Sequence, residues 1–298
     1  MITVLGSSNT DMVVKTSAFP RPGETIIGGE FFMFSGGKGA NQAVAAARMG
    51  GEVRFVSRVG DDIFGQRALE EFRKEGIDAR FVSVDKDSPS GTALILVNGE
   101  GENEIVVAPG SNGTLTELEV NDAREAIEGS DFLLMQLEVP LSAVVHAARL
   151  AHAKGVKVIL NPAPARALPD ELYPLLHLIT PNETEAEILT GIAVIDDASQ
   201  KMAAKALLAK GVAHVILTLG SKGVYYTDGV KELRVPAPKV EVLDTTAAGD
   251  VFNGVLAAWL SQSMPWEAVL SLAVKAASLS VTKMGAQASM PYRNEVEE

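Results

Sequence analysis

The chain has 298 residues, 47% of them hydrophobic and 21% charged, a balance that excludes disorder and supplies ample apolar surface for a buried core. A formal net charge of -12 argues against non-specific nucleic-acid binding, and the absence of cysteine removes disulfides, thiolate metal sites and cysteine nucleophiles. No uncharged apolar run is long enough to span a bilayer, and Ile2-Thr-Val-Leu5 enters a strand without the marks of a signal peptide, so the expected address is the cytoplasm and the expected ligand is small.

The first strand runs into Gly6-Ser-Ser-Asn9-Thr-Asp11, a small and polar cluster where an α/β sheet exposes its ligand-facing edge. Asn9 and Asp11 can hold hydroxyls there, although an ordinary Asx turn also accounts for them. Met12 to Lys15 and Thr25 to Phe34 then read as extended, separated by Phe19-Pro-Arg-Pro-Gly23. A second extended excursion, Gly91 to Val97, turns through Asn98-Gly-Glu-Gly-Glu-Asn103 and returns as Glu104 to Ala108. The two excursions either pair into a small separate sheet, able to cover a pocket or join a second copy, or extend the main sheet.

Between them lies Ser35-Gly-Gly-Lys-Gly-Ala-Asn41, a glycine-rich turn opening an alanine-rich helix. It has neither the Walker A pattern nor the GxGxxG spacing. Lys38 and Asn41, one turn apart, suit polyol hydroxyls; tight helix packing explains Ala43 to Ala47 but leaves the Gly-Gly-Lys-Gly run unexplained.

From Glu52 the strand and helix alternation is regular: strand Val53 to Val59, a helix around Ala68 to Lys74, and strand Arg80 to Val84. After the second excursion it resumes with strand Phe132 to Met135, helix Leu141 to Ala153 and strand Lys157 to Leu160. Glu138 falls just after a strand, where it either meets a ligand or caps a helix. Asn182 and Glu185 open a helix after Thr180-Pro181. They either stabilise its start or orient Mg²⁺-bound waters beside a nucleotide's phosphates. His214 to Thr218 reads as a buried strand opening into Gly220-Ser-Lys-Gly223, a second place for a nucleotide, followed by a hairpin around Asp228-Gly229. None of the four histidines has metal-ligand spacing, and no GxSxG or HExxH motif is present.

The apolar run to Leu243 reads as a strand, Asp244-Thr-Thr-Ala-Ala-Gly-Asp250 as a tight turn, and Val251 to Leu260 as a helix. Amides of Ala247, Ala248 and Gly249 at that helix start suit an anion, and Asp250 then lies close enough to take a proton from whatever attacks it; plain N-capping is the simpler account. Val281 to Ser289 is a polar, glycine-containing segment whose carbonyls, with Asp244, either ligate a hard monovalent cation or form an ordinary loop.

Asn9/Asp11, Gly36-Gly-Lys-Gly-Ala-Asn41, Asn182-Glu-Thr-Glu185 and Asp244 to Asp250, in that order, resemble the ribokinase branch of the PfkB carbohydrate kinases over essentially the whole chain. The resemblance implies an α/β, three-layer α/β/α ribokinase-like fold with a central, mostly parallel sheet and a small β-sheet lid. It implies one catalytic domain over 1–298, with lid segments near 12–35 and 91–109, and a homodimer through that lid. The implied activity is ATP-dependent phosphorylation of D-ribose at O5. Deoxyribose, fructose or a nucleoside as acceptor, and a non-catalytic sugar binder, are the alternatives.

By the same resemblance Asp250 is the base and Ala247, Ala248 and Gly249 the anion hole. Asn9, Asp11, Gly37, Lys38, Asn41 and Glu138 hold the sugar. Asn182, Thr218, Gly220, Ser221, Gly223 and Gly249 contact ATP, with Mg²⁺ near Asn182 and Glu185. K⁺ lies near Asp244, Thr246, Ser280, Lys283, Gly285 and Ser289. One departure stands out: Ala247 occupies the first glycine of the family's Asp-Thr-x-Gly-Ala-Gly-Asp motif, and a methyl group there is expected to impose ordinary backbone dihedrals.

Overall fold

The computed structural model describes all residues from Met1 to Glu298. The first half of the chain forms β1 (Ile2–Leu5), β2 (Asn9–Lys15), β3 (Glu30–Gly36), α1 (Lys38–Arg48), β4 (Val53–Gly60), α2 (Ile63–Lys74), β5 (Val82–Asp85), β6 (Gly91–Val97), β7 (Asn103–Ala108), α3 (Glu117–Asp122), α4 (Arg124–Glu128), β8 (Phe132–Met135) and α5 (Leu141–Ala153). The second half adds β9 (Lys157–Leu160), β10 (Leu178–Ile179), α6 (Glu183–Thr190), α7 (Asp197–Ala209), β11 (His214–Thr218), β12 (Val224–Thr227), β13 (Glu232–Val235), α8 (Ala248–Ser261), α9 (Trp266–Ser280) and α10 (Arg293–Glu297).

Nine strands form the main sheet in the order β13-β12-β11-β10-β9-β8-β1-β4-β5, parallel except where β12 pairs with its two neighbours. Its central strands, such as β1 and β8, are buried throughout, which is why their sequences are continuous apolar runs. Alternate side chains feed two separate cores. Ile2 and Val4 of β1 pack with α1, α8 and α9 on one face, while Leu5 packs with α5 and α7 on the other. The architecture is therefore three-layered.

β2, β3, β6 and β7 make a second, four-stranded sheet in the order β3-β2-β6-β7, and none of them pairs with the main sheet. Ile105 and Val107 remain exposed on its Asp11 face, and Phe31, Leu94 and Val106 on its opposite face. Two sequence expectations need correction. Thr25 to Gly29 is not strand, since Gly28 and Gly29 sit at φ 118° and 117°, outside the extended region of L-residues, so β3 starts only at Glu30. The run ending at Leu243 is not strand either. Pro236 and Pro238 follow β13 directly, and a proline cannot donate to a ladder, so the segment crosses to α8 as an irregular connection.

The carboxyl ends of β1, β8, β9, β10 and β11 lie along one edge of the sheet, and the polar residues that follow each strand gather there.

Candidate active site

The α1 start is built by close approach of backbones. Gly37 caps the helix at φ 87°, a left-handed conformation that L side chains resist, and a Cβ on it would lie 2.7 Å from the Asn9 nitrogen. A side chain on Gly36 would overlap the Asp11 carboxyl group, which lies directly against its Cα. These glycines let β2, β3 and α1 present Asn9, Asp11, Lys38 and Asn41 to one place. Glu138, arriving from the end of β8, accepts from the Lys38 backbone N–H at 3.0 Å and from Ser7 Oγ at 2.6 Å. Asn9 Oδ1 accepts from Asn112 Nδ2 at 2.7 Å.

Asp250 sits in the first turn of α8, buried at 5% exposure. Asn41 Nδ2 donates to its Oδ2 at 2.9 Å and Gln42 Nε2 to its Oδ1 at 3.0 Å. Burial raises its pKa, against which Lys38 and the two amide donors work. Burial also pushes Asp11 up to about 7, with Glu138 and Asp250 adding to the effect. Lys38 feels the opposite balance: burial disfavours its charge, but Asp250, Glu138, Glu185 and Asp11 surround it and raise its pKa. The centre is thus one half-buried cation among four acids, and Glu185, its pKa raised by burial, links it to α6.

The α8 start carries the unsatisfied amides that every helix has. Ala248 N–H makes a long turn bond to the Thr245 carbonyl at 3.3 Å, whereas the N–H groups of Ala247, Gly249 and Asp250 donate to nothing in the protein. Gly249 is exposed, and no atom lies within 4 Å of the position a Cβ would take. Ala247 departs from expectation: it adopts φ 61°, ψ 9°, a left-handed conformation that glycine takes up at no steric cost. The methyl group therefore does not bring the turn to ordinary dihedrals.

On the other side of the edge, Asn182 caps α6 through a reciprocal box with Glu185, both bonds 2.8 Å. That helix-start role is realised, and it leaves Glu185 Oε1 and Asn182 Nδ2 free of protein partners. Thr218 pairs with Asn182 as an isolated bridge, so the turn Gly220–Lys222 and Gly223, at φ 90°, lie beside the α6 start with Gly220 and Ser221 exposed.

Asp244 Oδ1 accepts from Thr246 N–H and Oδ2 from Gly285 N–H, each at 2.9 Å, clasping the anion turn to the 280–289 loop. Burial works to raise its pKa, but the Thr246 hydroxyl and then the Gly285 and Thr246 N–H groups lower it. The carbonyls of Thr246, Lys283, Gly285 and Ser289 accept no hydrogen bond, while Ser280 receives one from Lys283. Lys283 Nζ is engaged by Glu295 at 2.8 Å and is not free to enter the loop. This set of unpartnered oxygens fits a hard, weakly charged cation. No cluster of three or more His, Cys, Asp or Glu side chains is placed to hold a metal.

Several participants carried no sequence signal because they are joined only by the fold: Ser7, Gln42, Asn112, Gln136, Asn161 and Asn253. A cleft of about 430 Å³ lined by Val235, Pro236, Pro238, Val240, Val274 and Leu279 was also unforeseen. It is bounded by α9 and the irregular connection that leads to the α8 start.

Comparison with known proteins adds the family context. Residues 1–293 match the sequence model described as pfkB family carbohydrate kinase. The chain is similar to the ribokinase of Haemophilus influenzae, with 47% identity over 99% of this chain and 96% of the relative. It is also similar to the deoxyribokinase of Salmonella typhimurium, with 38% identity over 97% and 95%. Its fold superposes on the Arabidopsis thaliana ribokinase complexed with ribose and ATP at a TM-score of 0.95, with 32% identity and 99% and 97% of the two chains covered.

Proposed function

The chain belongs to the pfkB family of carbohydrate kinases, and from that premise we propose that it transfers the γ-phosphoryl group of ATP to the 5-hydroxyl of D-ribose, giving ribose 5-phosphate and ADP. The observation that carries the mechanism is the Asp250 carboxylate, buried and held on both oxygens one residue from free N–H groups at a helix start. In this reading ribose lies among Asn9, Asp11, Gly37, Lys38, Asn41 and Glu138. Its O5 attacks the γ-phosphorus, the bond to the β,γ-bridging oxygen breaks, and the O5 proton passes to Asp250. Burial moves that carboxylate toward the operating pH, as a base needs. The Ala247, Ala248 and Gly249 turn, with the Asp250 N–H, receives the charge on the transferring group, aided by the helix dipole.

The triphosphate then extends past Asn182, Thr218, Gly220, Ser221 and Gly223, and the adenine enters the apolar cleft beside Val274. Asn182 and Glu185 orient the waters of a phosphate-bound Mg²⁺, which neutralises charge on the leaving group. The carbonyls of Thr246, Ser280, Lys283, Gly285 and Ser289, with Asp244, would hold K⁺ and keep the α8 turn in shape. The small sheet serves as lid over the sugar within a single catalytic domain spanning 1–298, and its exposed Phe31, Leu94 and Val106 face pairs with a second copy as a homodimer. ATP as donor places the reaction in the cytoplasm; no helix is long and apolar enough to cross a membrane.

The likeness to a deoxyribokinase makes 2-deoxyribose the rival acceptor. Release of ADP from Mg-ATP over a panel of ribose, 2-deoxyribose, fructose and nucleosides, with and without K⁺, decides between them. Ribose is expected to give the highest kcat/KM; a higher value with 2-deoxyribose would move the acceptor, and no turnover with any would remove the kinase assignment.

A further inference from the structure

Gln42 follows Asn41 on α1 and is fully buried, so it touches neither solvent nor an open pocket. Its amide is satisfied at every position. Nε2 donates to Asp250 Oδ1 at 3.0 Å and to Asn161 Oδ1 at 3.1 Å, while Oε1 accepts from Gln136 Nε2 at 2.6 Å. Turning the amide over would set its oxygen against two oxygens and its NH₂ against another NH₂, so these partners permit one orientation only.

The network continues beyond Gln42. Asn161 Nδ2 donates to the Thr180 carbonyl at 3.3 Å, Thr180 Oγ1 to Asn253 Oδ1 at 2.6 Å, and Asn253 Nδ2 to the Gly249 carbonyl at 2.8 Å. The path that leaves α8 at Asp250 therefore returns to α8 at Asn253, whose amide reaches the Gly249 carbonyl, closing a ring through α1 and the ends of β9 and β10. The two donors on Asp250 differ in kind. Asn41 retains a buried, unpartnered Oδ1 for another ligand, whereas Gln42 has both amide protons donated and its oxygen engaged.

We propose that Gln42 is the positioning residue for Asp250, holding the carboxylate in one rotamer whether or not sugar is bound, so that Asn41 is free to exchange partners with the substrate. This rests on the assignment of Asp250 as the base. A buried hydrogen bond that aims a reacting group contributes to the rate and not to the affinity for either substrate, because the group it aims is used in the transition state.

The test is Gln42→Met, which keeps the length and apolar volume but removes the amide, measured in the wild-type and Asp250→Ala backgrounds. In the wild type, kcat is expected to fall about 10- to 100-fold while the KM values for ribose and ATP stay within about 3-fold. In the Asp250→Ala background the same substitution is expected to change the rate by less than about 3-fold, since nothing remains to be aimed. Equal losses in the two backgrounds, or a ribose KM rising in step with the loss of kcat, would overturn the proposal. Retained activity in Asp250→Ala alone would instead remove the base assignment, a separate outcome. Should Gln42→Met not fold, Gln136→Met leaves Gln42 in place but frees its carbonyl from its donor. It is expected to lower kcat alone by about 3- to 10-fold, and an unchanged kcat there overturns the proposal.

Discussion

Asn41 Nδ2 lies 2.9 Å from Asp250 Oδ2, and the Asn41 Oδ1 is buried without a partner. One amide thus faces the Asp250 carboxylate with its donor and leaves its acceptor open to a hydroxyl proton. An unmet acceptor in a buried place costs free energy until a ligand supplies the donor, so a sugar hydroxyl gains affinity there. Asp250→Asn keeps the shape but removes the proton acceptor. We expect kcat to fall by roughly 10² to 10⁴, with the KM for ATP little changed; steady-state rates with near-wild-type kcat would contradict the role.

Asp11 is the acid held at a pKa of about 7, by burial first and by Glu138 and Asp250 next. Its folded pKa exceeds the unfolded value, so its contribution to stability is fully present below the unfolded pKa near 4 and is lost as pH rises through about 7. Asp11→Asn removes that loss. The variant without ligand is therefore expected to gain stability over wild type by about 1 to 3 kcal/mol at pH 8.5, and much less at pH 5, while its ribose KM rises. Thermal melts at the two pH values check this; a gain independent of pH would show that the charge is not the cause.

Ala247 at φ 61° carries a steric penalty that glycine avoids, offset in part by glycine's freedom in the unfolded chain. Ala247→Gly is expected to stabilise by about 0.5 to 1 kcal/mol, read as a small rise in Tm with kcat unchanged. A lower Tm would mean that the turn tolerates the methyl group without strain.

Asp244 clasps Thr246 and Gly285 with one oxygen each. In Asp244→Asn one of those N–H groups must face an NH₂. The concentration of K⁺ giving half-maximal activation is expected to rise by about 10-fold or more, seen in a K⁺ titration of initial rates. An equal fold-loss of rate in Asp244→Asn without K⁺ and at saturating K⁺, with the half-maximal K⁺ concentration unchanged, would point to a fault in the turn alone.

Gly254 on α8 lies against α1 so closely that a Cβ would stand 2.4 Å from the Gln42 carbonyl oxygen and 2.7 Å from Ala45 Cβ. Gly254→Ala must push the two helices apart. A loss of about 1 to 3 kcal/mol is expected in chemical denaturation, with reduced kcat because Asn41 and Gln42 ride on the displaced helix. Wild-type stability would show that the pair can slide without cost.

Much of the site is legible as sequence because it is local. A glycine-rich turn before a helix, a capping pair three residues apart and a small-residue helix start are each set by backbone sterics and hydrogen bonds among near neighbours. Asn9, Lys38, Asn41, Asn182, Glu185 and Asp250 were visible for that reason. The buried apolar strands were equally visible, since a parallel sheet covered on both faces demands continuous apolar runs.

What the tertiary structure alone decided is everything that depends on meeting across the sheet edge. Gln42, Gln136, Asn161, Thr180 and Asn253 are ordinary polar residues in the chain, separated by up to 211 positions between Gln42 and Asn253, and become one network only because the ends of β8, β9 and β10 meet α1 and α8. Hydrogen bonding is short in range and directional, so its partners follow from three-dimensional placement and leave no periodic trace. The same holds for the left-handed Ala247. Local preference favours ordinary dihedrals, but the turn that carries Ala247 is also clasped by Asp244 to Gly285, a contact that only the fold supplies.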